Sequence, residues 1–176
     1  MKTIFTILVL LITSSSSLAQ DNLPDNFPKN SELILKSSYK FTYYMFDVYQ
    51  VELYLASSVA AREALNNVPK KLQFKYFRDI PAKTLVEKAT ESLENIPGFN
   101  FDTFEQELSK LNNAYLDVKE DDQYIIQYTP EIGTELILNG KKLVTVAGKE
   151  FARFYFAIWL SEHSFSKDLY KTLTKS

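Results

Sequence analysis

The groups in this chain that could do chemistry are phenols and a few cations. Tyr43, Tyr44, Tyr49, Tyr54 and Tyr76 crowd into stretches that read as strands, and Arg78 stands two residues past Tyr76. A tyrosine gives a cavity an apolar wall plus one hydroxyl, which suits an amphipathic guest. If its strand continues, Arg78 shares a face with Leu72, Phe74 and Tyr76, where a guanidinium could grip a carboxylate or enolate oxygen through paired donors. The plainer readings are an Arg78–Asp79 pair at a strand end and an aromatic core whose hydroxyls reach water. Lys36 and Lys40 flank the tyrosine-rich run and offer either a point charge or a solvated strand edge. Asp47, set among aromatic residues, reads as a base of raised pKa or as a turn or bulge residue.

Other chemistries find no support in the residue types. His163 is the only histidine and there is no cysteine, which leaves no usual zinc site. His163 follows a helix end, where a positive charge suits the dipole. Glu120-Asp121-Asp122 lacks the spaced ligands and the glycine of a calcium loop. Phosphate-binding glycine loops, nucleophile elbows and dinucleotide fingerprints are not found. No metal and no cofactor are therefore expected. The formal charge of −2 is too low to suggest nucleic acid as a partner.

The elements that must hold these groups follow from patterning. Residues 1–19 resemble a secretory signal: Lys2, an apolar run from Ile4 to Ile12, and Ser17-Leu18-Ala19 as a small-x-small cleavage site. That run is too short to span a bilayer, which takes about 20 residues, and no membrane segment is expected after its removal. The expectation is an exported protein, periplasmic or extracellular, cleaved near Ala19. Residues 20–31, with Pro24 and Pro28, read as a polar tether, and 32–176 as one domain, a monomer held by its core.

Within that domain Leu33–Lys36 is a short strand. Phe41–Leu55 is an extended segment that a bulge or tight turn near Asp47 would split. Val59–Leu65 reads as a short helix and Leu72–Arg78 as a strand. Pro81 opens a helix with the stripe Ala82, Leu85, Val86, Ala89, Leu93 and Ile96, ended by Pro97-Gly98. Asp102-x-x-Glu105 resembles a capping box for a helix that buries Phe101, Phe104, Leu108 and Leu111. A strand over Tyr124–Thr129 and a hairpin turning at Asn139-Gly140 come next. Phe151, Phe154, Tyr155, Ile158 and Trp159 then form one stripe of a helix with Arg153 opposite it at the surface. A last helix starts near Ser166. Strands, helices, strands and helices in that order give an α+β fold: a curved, mainly antiparallel sheet with helices on one face. The expected cavity lies between the aromatic helix and the sheet. Its candidate lining is Arg78, Lys40, Tyr43, Tyr49, Tyr76, Phe154 and Trp159.

Several short motifs in order resemble one family. They are Phe46-Asp47-Val48-Tyr49, Leu53-Tyr54-Leu55, Leu72-x-Phe74-x-Tyr76-x-Arg78-Asp79-Ile80, Tyr128-Thr129-Pro130 with Gly133-Thr134, Asn139-Gly140, and Phe151-Ala152 through Ile158-Trp159-Leu160. The chain is similar to the bacterial, exported branch of the chalcone isomerase-like proteins. The resemblance implies an open-faced sandwich with a ligand between its two layers. Plant members close chalcones intramolecularly, and related members bind fatty acids without catalysis. Both hold an anionic oxygen with an arginine on an early strand. Here the early strands carry no arginine, and Lys36 and Lys40 are the nearest cations. The hydroxyl near the start of the last large helix falls on Ala152, and the glycine and proline after that helix are Ser161 and Ser164. The implied function is thus non-catalytic binding of a lipid-like or apolar carboxylate or carbonyl compound. The alternatives are an isomerase or intramolecular lyase acting on an enone, and an envelope interaction protein without a small ligand.

Overall fold

The structure is a computed structural model and describes residues 32–175. The expected signal and tether lie outside the described residues. Six strands form one antiparallel meander in chain order: β1 Leu33–Tyr43, β2 Phe46–Ala56, β3 Lys70–Tyr76, β4 Gln123–Thr129, β5 Gly133–Leu138 and β6 Lys141–Val146. Among the described residues four α-helices complete it: α1 Ala82–Glu94, α2 Glu105–Asn112, α3 Lys149–Leu160 and α4 Lys167–Thr174. The α+β architecture is the expected one, an open curved sheet with a helical layer.

Strand alternation decides which face is covered. Val51, Leu53 and Leu55 of β2, Leu72, Phe74 and Tyr76 of β3, and Tyr124, Ile126 and Tyr128 of β4 are buried. The intervening residues Gln50, Glu52, Gln73 and Gln127 carry polar groups on the other face, where Glu52 accepts from Gln50 and Tyr54. Helix α3 covers the inner face. Every residue from Phe151 to Leu160 except Arg153 is buried. A helix this apolar needs neighbours on two sides. The sheet takes one, with Trp159 packed 5.3 Å from Phe74. On the other, Phe154 and Ala157 join Ile96, beyond the end of α1, in a smaller cluster with Phe99 and Phe104. Each large side chain buried this way contributes about 1.5–3 kcal/mol. Helix α4, capped by the Ser166 hydroxyl accepting from the Leu169 N–H at 3.3 Å, lies against β1.

The structure departs from the sequence expectations at several places. The first strand does not stop at Lys36; it runs on to Tyr43 through a bulge at that lysine. The chain then turns at Tyr44-Met45, ahead of Asp47, while a second bulge falls at Val48. The expected helix at Val59–Leu65 is a single 3-10 turn, Ala61–Glu63, too short a run before Asn66-Asn67 to repay helix nucleation. Strand β3 ends at Tyr76, short of Arg78. Helix α2 starts at Glu105 with Phe104 at its cap, and Phe101 is exposed. No side chain caps the helix, so Asp102 makes no capping box; Asn100 accepts from the Thr103 N–H at 2.9 Å in the turn ahead of it.

Two hairpins of this sheet use the same two-residue turn with both central φ values positive. At the β5–β6 turn these are Asn139 (48°) and Gly140 (79°), the relaxed choice. At the β1–β2 turn they are Tyr44 (45°) and Met45 (66°). A large side chain held there stores about 1–3 kcal/mol. Replacing Tyr44 by Asn together with Met45 by Gly should therefore raise the urea midpoint, by roughly 1–3 kcal/mol in unfolding free energy. A lowered midpoint would mean that the aromatic turn makes contacts worth more than its strain.

Candidate functional site

The inner face of the sheet is built in cross-strand rows. Tyr49 faces Tyr76 at one end, followed by Val51, Phe74, Tyr124 and Leu138. An aliphatic row comes next: Leu53, Leu72, Ile126, Leu136 and Val144. The last row is different in kind: Leu55, Lys70, Tyr128, Thr134 and Val146. It sets a cation and a threonine hydroxyl on a face whose other rows hold only aliphatic and aromatic side chains.

The aromatic end is closed. Tyr49 packs on Phe41, Phe74 and Tyr76, with Phe74 against Trp159. Tyr155 stacks on Phe151 and meets Trp159 edge-on. The Tyr115 and Tyr155 hydroxyls bond each other at 2.7 Å. Burial, which disfavours the phenolate, pushes the titration of Tyr49, Tyr76, Tyr115 and Tyr155 upward. The expected void between α3 and the sheet is thus occupied here by the chain's own rings.

The polar row is the least satisfied part of the interior. Lys70 is only 1% exposed. Its ammonium donates to the Asn66 carbonyl at 2.7 Å and lies 5.0 Å from the Tyr128 ring and 5.4 Å from that of Phe156. Among the described residues no carboxylate forms an ion pair with it. An ammonium has three donors. Burial pulls the Lys70 pKa down to about 8. Tyr128 donates to the Asn67 side-chain oxygen. Thr134 is fully buried, and its hydroxyl has no hydrogen-bond partner among the described residues. Strand spacing puts the Lys70 and Thr134 backbones about 10 Å apart, a gap that a lysine side chain and one carboxylate can span. A depression of about 220 Å³ opens beside the row, lined by Asn67, Tyr128, Glu131, Ile132, Gly133, Ala147, Gly148 and Lys149. Its floor needs a glycine: a Cβ on Gly133 would sit 2.2 Å from the Val146 carbonyl oxygen, at a φ of +112°. A second depression, on the opposite face of the sheet, is lined mainly by polar residues, Gln50, Glu52, Gln73, Lys75 and Gln123 with Phe77.

The residues singled out from sequence divide into separate groups. Tyr49, Tyr76 and Trp159 meet in the closed aromatic end. Phe154 points the other way, 5.5 Å from Phe99 and 5.6 Å from Phe104. Tyr43 is exposed at the β1–β2 turn. Lys40 is at the surface, 2.8 Å from Asp47. That bond, with a second from Thr42, lowers the Asp47 pKa, so Asp47 is not a base of raised pKa. Arg78 lies beyond β3, exposed, with its guanidinium 5.2 Å from the Phe46 ring. Nor does Arg78 pair with Asp79, which bonds Lys119 at 2.8 Å. Arg153 is exposed and pairs with Glu150. No expected cation reaches the interior. Lys70, which does, was legible in one signal: the buried alternation Leu72, Phe74, Tyr76, continued two residues backward, lands on it.

Residues 18–173 match a family described as chalcone isomerase-like. The chain belongs to the chalcone isomerase-like family. Among solved structures it is similar to a fatty-acid binding protein of Arabidopsis thaliana. The two share 11% sequence identity with a TM-score of 0.56, over 82% of this chain and 85% of that one. At that identity the likeness concerns the fold. No functionally curated protein matches the chain. The Tyr128-Thr129-Pro130 and Gly133-Thr134 motifs by which the chain resembles this family lie at the polar row.

Lys70 allows a signed test. Its folded pKa lies below the usual 10.5, so the unfolded chain binds more protons between about pH 8 and 10.5, and stability rises with pH there. The buried tyrosines oppose this above about pH 10, where unfolded phenols ionise. Comparing wild type with Lys70→Met isolates the lysine. The variant should be the more stable at pH 7, by up to about 3 kcal/mol, and the gap should close toward pH 10. A gap independent of pH would mean that Lys70 titrates normally.

Proposed function

We propose that this chalcone isomerase-like protein binds a small amphipathic carboxylate without transforming it. The Lys70 ammonium holds the anionic head within the polar row, and the Thr134 hydroxyl donates to the same head. The supporting observation is the row itself: a buried cation with spare donors and, across Tyr128, a buried hydroxyl with no partner among the described residues. Buried polar groups are normally satisfied, and an anionic oxygen is what both lack. The apolar part of the ligand enters between α3 and the sheet at the Ile132 mouth. The depression there, about 220 Å³, is below the roughly 300–1,000 Å³ of small-molecule sites. Binding must therefore displace side chains, Ile132 first, since it is exposed. The fatty-acid binding neighbour is consistent with such a guest.

Catalysis has less to stand on. Arg78 lies outside and Ala152 offers no hydroxyl, and the phenol nearest the Lys70 ammonium, that of Tyr128, has its proton engaged by the Asn67 side chain, leaving no free general acid beside the cation. Addition of a chalcone should leave its absorbance unchanged.

Calorimetric titration with palmitate is the direct test. Wild type should bind saturably, and Lys70→Met should weaken palmitate at least tenfold, the scale of a charge-assisted hydrogen bond of about 1.5–3 kcal/mol. Hexadecanol, which lacks the charge, should lose little. Affinity for palmitate should fall as pH rises through about 8, where Lys70 loses its proton. No saturable binding by wild type, or equal losses for both probes, would reject the assignment.

A further inference from the structure

The β1–β2 turn presents four consecutive large apolar residues to water. Tyr43 is 59% exposed, Tyr44 78%, Met45 95% and Phe46 60%. Apart from the Arg78 guanidinium, 5.2 Å from the Phe46 ring, no ring or cation contact ties them to the body of the protein among the described residues. Tyr43 and Phe46 pair with each other, the pairing of β2 with β3 begins only at Tyr49, and the Tyr43 and Tyr44 rings stack edge-on at 4.5 Å. The β5–β6 turn of the same sheet has the same backbone shape and carries Asn-Gly. The apolar residues are therefore not demanded by the turn; they are held there against its preference.

We infer that this turn is a membrane-contact tip, which inserts into the interface of an anionic bilayer. Three features select that occupant. The tip is convex and narrow, and four side chains fall far short of the roughly 20–30 residues a side of a stable protein interface. Its residue types suit the headgroup boundary, where a ring with one hydroxyl is favoured and an unbranched thioether can reach the acyl chains. Its charge is complementary. Lys40 and Asp47 cancel in their ion pair, while Arg78 lies on the Phe46 ring with no ion pair among the described residues, a cation beside the tip without a carboxylate partner there. A cation so placed meets lipid phosphates as the rings enter.

The tip and the polar row occupy opposite ends of β2, at Phe46 and at Leu55. Membrane contact can therefore be tested without disturbing Lys70. The full chain is sedimented with vesicles of phosphatidylcholine alone and of phosphatidylcholine mixed with phosphatidylglycerol. Wild type should partition onto the mixed vesicles. Tyr44→Asn with Met45→Gly should reduce that partition about tenfold or more, while keeping the wild-type circular dichroism and palmitate titration. Arg78→Glu should weaken binding to mixed vesicles severalfold and leave phosphatidylcholine alone unaffected. Met45→Trp adds an indole to the buried Trp159, and brominated acyl chains should quench the added emission. Equal partition of wild type and the double variant, no binding to either vesicle, or an added indole that the brominated chains do not quench would each overturn the inference.

Discussion

One helix laid on one sheet face is the constraint from which the rest of this molecule follows. The inner face of the meander is too apolar to leave in water, and α3 is the element that covers it. Covering it requires side chains that fill the gap, which is why five of the nine positions from Phe151 to Trp159 carry rings. Because the sheet lies on one side of α3 and α1 with the Phe99–Phe104 loop on the other, the helix loses the polar face an ordinary surface helix keeps. Arg153 is its one exposed residue between Phe151 and Leu160.

That packing also makes Lys70 conspicuous. A cation on the covered face is disfavoured by the loss of water, and here one carbonyl and two ring faces offset only part of the cost. Such a group lowers stability where an aliphatic residue would raise it. Destabilising groups of this kind are common where function sets the requirement, and the Thr134 hydroxyl, two strands away and without a partner among the described residues, fits the proposed anionic guest as well.

Much of this was legible in the residues. Alternation in Leu72–Tyr76 and Tyr124–Thr129, the Asn139-Gly140 turn, Pro81 at a helix start and the stripe of α3 each have a local cause that tertiary packing did not override. The misses share a different cause. Whether Arg78 belongs to β3 depends on where the partner strand ends, which no local signal records. Tyr44-Met45 hides a turn because its residues carry no turn chemistry at all. The charge on Lys70 argues for the surface, and only its place in a row shared with Tyr128 and Thr134, neighbours in space and not in sequence, reveals that it is inside. Phe154 sits on the apolar stripe as read, but a helix buried on two sides has no single inward direction.

The central claim is that a buried, partly unsatisfied lysine ammonium receives an anionic head. Nuclear magnetic resonance of the Lys70 side chain, followed through a pH titration with and without palmitate, addresses it most directly. Without ligand the Lys70 signal should titrate near 8, and with palmitate the midpoint should move upward, because a carboxylate partner favours the charged form. A single midpoint at the ordinary lysine value in the free protein, or one that palmitate leaves unmoved, would contradict it.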